Sequence, residues 1–170
     1  MHIHDLTTTL PVHPARRYRK RALARVDAVL LHHTAAPPEK RCDWASELAR
    51  HAAYHIKHHG WPGIGYHCAI APDGQCFKTN RLDTSSHHCP NWNLRGIGVV
   101  LLGDFTQHPP TPAALDTLAA LLVELRAALP SLRLLKAHRE CRATACPGAA
   151  LTAAMLDALA SKARLDRQRN

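Results

Sequence analysis

The chain of 170 residues contains no apolar run near the ~20 residues that a membrane-spanning helix needs, so no transmembrane segment is expected. Its opening stretch, MHIHDLTTTLPVHPARRYRKR, lacks the charged-then-apolar order of a secretory signal. Synthesis in the cytoplasm without a signal peptide is therefore the expectation. The six cysteines show no CxxC-type or zinc-finger spacing, and no aromatic signature of an RNA-binding module is present, so nucleic acid is not expected as a partner. Internal repeats, a linker and a second domain are missing as well. Acidic residues are scarce: 13 Asp and Glu face 22 Lys and Arg, a formal charge of +9. Such a balance favours polyanions, among them the anionic polymers of a bacterial envelope. The densest basic run is Arg16, Arg17, Arg19, Lys20 and Arg21, which fits a targeting device and a plain solvated arm about equally well.

With 46% apolar residues, the length suits one globular domain with a sizeable core. Residues 1–24 read as an extended basic arm, frayed at its start, and residues 25–165 as the domain. Residues 26–32, VDAVLLH, are apolar on both alternating faces, as a doubly covered central strand requires. Pro37 and Pro38 break regular structure. Asp43 is placed to cap a helix over residues 44–58, with Trp44, Leu48, Ala52, His55 and Ile56 on one face. The segments YHCAIA and QCFKT form a hairpin about Asp73-Gly74. A two-residue turn there sets Ala71 opposite Cys76, points Cys68 and Cys76 to opposite faces, and so predicts no bond between them.

Residues 80–96 read as a long irregular loop, of the kind usually functional or disordered. IGVVLL at 97–102 is a second buried strand. Thr111 caps and Pro112 starts a helix with a leucine stripe (115, 118, 121, 122, 125, 129) that stops before Pro130. LRLLKAH is the last strand, and a helix after Pro147 turns Leu151, Met155, Leu156 and Leu159 to the core, ahead of a basic, fraying end. Strands that alternate with long helices, one link being a hairpin, give an α/β fold: a single domain with a mixed central sheet flanked by helices.

Chemistry concentrates in KAHRECRATACPG, residues 136–148. There a strand runs into His138 and a loop returns Cys146 eight residues later. Zinc accepts imidazole nitrogen and thiolate sulfur, and a catalytic zinc takes three protein ligands and keeps one position open. His32, at the end of VDAVLLHHTA, is the best third candidate. His32 and His33 face opposite ways on a strand, so only one can aim at a shared site; the spacing alone does not choose.

The ordered motifs VLLHHTA, GWPGIGYHCAIAPDG, NWNLRGIGVVLLGDF and HRECRATACPG resemble those of the zinc-dependent N-acetylmuramoyl-L-alanine amidases, a family that includes T7-lysozyme-like phage endolysins and catalytic peptidoglycan recognition proteins. The resemblance spans about residues 26–150. It implies a sheet of five or six strands, one Zn²⁺ per chain held by His32, His138 and Cys146, and hydrolysis of the amide between N-acetylmuramic acid and L-alanine. It also implies Tyr66 as an active-site tyrosine, with a core tyrosine on the face of Cys68 and Ile70 as the alternative. Thr144 takes a position that is lysine in T7-type enzymes, which leaves the proton donor open. His33 would border the substrate groove; His88 and Asn93 match an H-x4-N pattern there, with His87 as the alternative to His88. Trp61 and Trp92 either stack on sugars or pack loops. Cys141 has no family role and reads as a small buried hydrophobe. The expected partners are peptidoglycan or a muropeptide and the anionic envelope, with the protein a monomer that acts on the wall after release, as a phage or prophage endolysin. The rivals are a cytosolic muropeptide-recycling amidase, a non-catalytic peptidoglycan binder, and a basic protein with a structural, four-ligand zinc.

Overall fold

A computed structural model describes residues 1–36 and 43–167. Pro37, Pro38, Cys42 and the last three residues of the basic end lie outside the described residues. The order is β1 (Ile3–Asp5), β2 (Ala28–His33), α1 (Trp44–His59), β3 (Cys68–Ile70), β4 (Cys76–Lys78), β5 (Gly96–Leu101), α2 (Pro112–Ala128), β6 (Leu134–Ala137) and α3 (Ala153–Ala163), with single 3₁₀ turns at Leu23–Arg25 and His138–Glu140. The strands form one six-stranded mixed sheet, β1-β4-β3-β5-β2-β6. All neighbours are parallel except the β3–β4 hairpin.

Every residue of β2 and β5 is buried, because helices and loops cover both faces of the sheet. On one face Val29, Leu31, Ile97, Val99 and Leu101 meet Leu118, Leu121, Leu122 and Leu125 of α2 and Leu156 and Leu159 of α3. Burying each such leucine contributes about 2 kcal/mol. On the other, Ala69, Phe77 and Val100 pack on Leu48 and Ala52 of α1. Ala28, Leu30 and Leu134 are covered instead by Cys89 and Trp92. The irregular stretch before β5 therefore roofs the part of the sheet that α1 does not reach, which is why Ser85, Ser86, His88 and Cys89 are buried.

The caps behave as their residues dictate. Asp43 accepts from the N–H groups of Ala45 and Ser46 at the start of α1, and Thr111 accepts from Ala114 at the start of α2. Gly60 ends α1 in the left-handed region (φ 64°), where its N–H reaches His55 and Ile56 carbonyls.

Three local expectations change. Ile70 pairs with Cys76 and Ala71 N–H donates to Gln75, so the hairpin loop is Pro72, Asp73 and Gly74 rather than two residues. That extra residue flips the parity: Cys68 and Cys76 share one face and one core cluster, both as free thiols, and the geometric argument against their bonding fails. The start of the chain is not frayed, because Ile3–Asp5 adds a parallel edge strand to β4 and Ile3 packs on the core. The basic run is also not uniform. Arg17 and Arg19 are exposed, whereas Arg21 is 8% exposed and lies under the loop.

Candidate metal centre and active-site cleft

The register of the parallel sheet places the first two candidate ligands. Leu31 of β2 pairs with Ala137 of β6, so the next residues, His32 and His138, emerge side by side at the carboxyl ends of adjacent strands. Open α/β sheets bind their ligands at that end. The two rings lie 4.5 Å apart, centroid to centroid. Alternation sends His32 to the α1 face. His33 goes to the other, where its Nδ1 accepts from Phe105 N–H at 3.3 Å.

Cys146 arrives on the loop after β6. Its Sγ is 3.7 Å from His32 Nδ1 and accepts from His33 N–H at 3.4 Å. The loop is fixed by its own backbone: Arg139 N–H donates to the Cys146 carbonyl at 2.9 Å. The Arg139 guanidinium donates to the carbonyls of Gly148 (2.8 Å) and Leu151 (2.7 Å). One potential ligand atom from each of His32, His138 and Cys146 falls within 4.8 Å of the others. Among the described residues this is the one such group of histidine, cysteine and acidic side chains, and Cys141 is not part of it. Cys141 packs beside Cys89 and Trp92.

The donor set suits a zinc ion. His138 Nε2 is buried with no hydrogen-bond partner, the sole side-chain nitrogen or oxygen in that state among the described residues. A buried polar atom without a partner is costly, and a metal would satisfy it. Burial holds His32 well below the ordinary histidine range; burial, helped by Arg142, brings His138 down to about 4. Both imidazoles are therefore neutral near pH 7, as ligands must be. Burial pushes the Cys146 thiol up to about 11, against the pull of the His33 N–H and Arg139. Metal-free, the thiol keeps its proton.

The trio lies in a cleft of about 680 Å³ that also exposes Tyr66, Thr144, His33, His88 and Asn93. Tyr66 is 5.3 Å from His32, ring to ring. It packs with the α1-face cluster and not with Cys68 and Ile70, because β3 begins only at Cys68 and strand alternation does not reach back to it. Burial raises the Tyr66 phenol above its usual range, so it stays protonated. Thr144 Oγ1 accepts from Cys146 N–H at 3.2 Å. Asn93 Oδ1 accepts from the N–H groups of His88 and Cys89, both at 2.9 Å.

His55, His59, Trp61 and His87 also line the cleft, and of these His55 and His59 have no site role in the sequence reading. Trp61 stacks on His59 (4.6 Å) and on His87 (5.6 Å) at the cleft wall. Trp92 lies outside the cleft with the Arg95 guanidinium 4.6 Å above its ring. The available signal was the spacing of His55 with Leu48 and Ala52, which marks the inward face of α1 but not which end of it borders a cleft.

Residues 22–149 match the family described as N-acetylmuramoyl-L-alanine amidase. The chain belongs to this family. It is 33% identical over 122 residues to peptidoglycan-recognition protein SC1a/b of Drosophila simulans, covering 70% of this chain and 66% of that protein. It is 34% identical over 128 residues to the human N-acetylmuramoyl-L-alanine amidase, covering 71% of this chain and 22% of that much longer protein. Among solved structures, a complex of peptidoglycan recognition protein-LE with tracheal cytotoxin, a monomeric diaminopimelic acid-type peptidoglycan, aligns with a TM-score of 0.76 at 26% identity over 86% of this chain and 87% of that one. The N-acetylmuramoyl-L-alanine amidase LysC of Clostridium intestinale shares the fold, with a TM-score of 0.79 at 24% identity over 98% of this chain and 99% of that one. The family thus contains amidases and recognition proteins alike, and this chain shares the fold of both.

Proposed function

We propose that this protein hydrolyses the amide between N-acetylmuramic acid and L-alanine in peptidoglycan. The observation that carries the reading is the ligand trio, His32, His138 and Cys146, set in the cleft with Tyr66 and with His138 Nε2 left without a partner. A zinc ion held by these three would supply a Lewis acid and bring the pKa of a bound water to roughly 7. The protein's own groups do the rest. Cys146 must release its proton to ligate, so metal uptake falls as pH falls. Tyr66, protonated and beside His32, donates toward the oxygen of the scissile carbonyl as negative charge develops there. Thr144 accepts from Cys146 N–H and keeps its hydroxyl proton for a donor role at the same mouth; it is a supporting group, not a proton carrier. His33 and the His59–Trp61–His87 wall border the substrate groove. The charge of +9 supports attachment to the anionic envelope, where an endolysin role would place it.

Binding of a muropeptide without cleavage is the second reading, favoured by the recognition-protein relative solved with tracheal cytotoxin. Metal analysis together with a sacculus-clearing assay separates the two. We expect one zinc per chain, clearing that a chelator abolishes, and near-complete loss of both in Cys146→Ser and His138→Ala. Clearing by Cys146→Ser at the wild-type rate would end the zinc assignment. A zinc-loaded wild type that binds but never cleaves a muropeptide would establish the second reading.

A further inference from the structure

Sequence motifs assign His88 to the substrate groove, yet both nitrogens of its ring are engaged inside the protein. Nε2 lies 3.3 Å from the Gly96 carbonyl oxygen. A carbonyl only accepts, so Nε2 carries the ring proton and, in the neutral ring, Nδ1 presents a bare lone pair. That Nδ1 is 3.2 Å from His32 Nε2. His32 must therefore hold its proton on Nε2, which leaves the lone pair of Nδ1 directed to the side where Cys146 Sγ lies, 3.7 Å away. The tautomers are assigned by this bonding logic, which starts from an atom that has no alternative role.

The backbone around His88 is built to permit the arrangement. A Cβ on Gly98 would stand 2.7 Å from His88 Cγ and 2.8 Å from Cδ2, and one on Gly96 would stand 3.1 Å from Cε1. The ring lies on a stretch of β5 that only glycine leaves clear. Asn93 holds the His88 backbone from the other side, and Arg21 Nη1 donates to the same Gly96 carbonyl at 2.7 Å.

We propose that His88 is a positioning residue: it locks His32 in the Nε2–H tautomer, so that Nδ1 is the nitrogen offered to the metal, and Gly96, Gly98 and Asn93 hold His88 in place. This rests on the zinc reading above for its purpose, though not for its geometry. Outer hydrogen-bond partners of metal-bound histidines commonly change metal affinity 10–100-fold when removed.

Two measurements test it: the ring-nitrogen tautomer of His32 by NMR in the metal-free protein, and zinc affinity by chelator competition. His88→Phe keeps a ring but removes the acceptor. His88→Asn places an amide oxygen near the position of Nδ1. The expected result is a single Nε2–H tautomer in wild type, mixed tautomers and about 10–100-fold weaker zinc binding in His88→Phe, and recovery of most of both in His88→Asn. Gly98→Ala, which leaves the His88 ring chemically intact but crowds it, should reproduce the His88→Phe loss by displacing the ring. Wild-type tautomer and zinc affinity in a folded His88→Phe would overturn the proposal. So would an effect confined to KM for a muropeptide, which would return His88 to substrate contact. A wild type that takes up no zinc would instead defeat the metal reading, and the tautomer measurement would still decide whether His88 orients His32.

Discussion

Replacing Arg21 by methionine keeps the aliphatic stem and removes the guanidinium, and the structure lets the cost be worked through. Arg21 donates from Nε to the Leu82 carbonyl (2.9 Å) and from Nη1 to those of Asn93 (3.2 Å) and Gly96 (2.7 Å). Burial lowers its pKa to about 10, so it remains a cation at pH 7. Gly96 would keep its bond from His88, but the carbonyls of Leu82 and Asn93 would lose theirs. Both of these acceptors are only partly buried, so each left bare costs toward the lower end of about 1–3 kcal/mol, and part of this is offset because a desolvated charge also disappears. A net loss of about 2 kcal/mol is expected, which for a domain of this size is about 4–8 °C in Tm. Arg21→Lys should recover little, since one compact ammonium cannot span three carbonyls as a planar fork does. Arg17→Gln and Arg19→Gln, at exposed positions of the same run, should stay within about 0.5 kcal/mol. The assay is thermal melting of the four variants in one buffer at pH 7.5. Arg21→Met melting within 2 °C of wild type, roughly the shift expected of a surface change, would refute the claim that Arg21 ties the arm to the loop beneath the cleft.

Tyr66→Phe should lower kcat by about two orders of magnitude, the scale for one lost oxyanion donor, while zinc content and Tm hold; normal turnover would remove Tyr66 from the chemistry. Arg17→Gln with Arg19→Gln should weaken salt-sensitive attachment to whole envelopes and leave cleavage of a soluble muropeptide unchanged, and equal effects on both substrates would make the exposed arm a solvated face. Acid should destabilise the fold before the carboxylates titrate. Burial holds His55 down to about 4 and His67 well below the ordinary 6.5. Their contribution is thus complete above pH 6.5 and is lost as pH falls toward 4, at about 1.4 kcal/mol per pH unit for each histidine that the unfolded chain protonates and the native one does not. A urea midpoint that stays constant from pH 7.5 to 5 would contradict this.

The parts of the fold that could be read from sequence are those whose signal is local and repeated. Buried runs such as VDAVLLH and IGVVLL, the Asp43 and Thr111 caps and the leucine stripe of α2 each state one preference several times over, and the elements appear within a residue or two of where they were placed. Failures came where one residue decides. The hairpin depended on whether Pro72 belongs to the turn, and that single residue reversed the faces of Cys68 and Cys76. β1 has only three residues and gains its stability from β4, so no pattern in the arm announces it. The site was legible at His32, His138 and Cys146 through the ordered motifs that carry them and their resemblance to the amidase family; among 14 histidines and six cysteines, spacing alone did not choose. His55 and His59 were not legible, because a histidine on a helix looks the same whether it borders a cleft or packs a core. Arg21 was hidden in the opposite way, by neighbours of its own kind.

Each candidate ligand is held by bonds that do not involve a metal. His32 is fixed through His88, Cys146 through His33 N–H and the Arg139–Cys146 backbone bond, and His138 opens a 3₁₀ turn whose Glu140 accepts from Ala137 N–H at 2.7 Å and pairs with Arg167 at 2.5 Å. The His32 and Cys146 side chains and the backbone that carries His138 are thus ordered before any ion arrives, and little of that conformational entropy remains to be lost on binding. What binding still requires is the Cys146 proton, and what it relieves is the bare Nε2 of His138. Sheet register supplies the two imidazoles and a stapled loop supplies the thiol. Exchange of loop residues outside 138–148 should therefore alter which substrate is held far more readily than whether the metal is held, consistent with one fold serving amidases and recognition proteins alike.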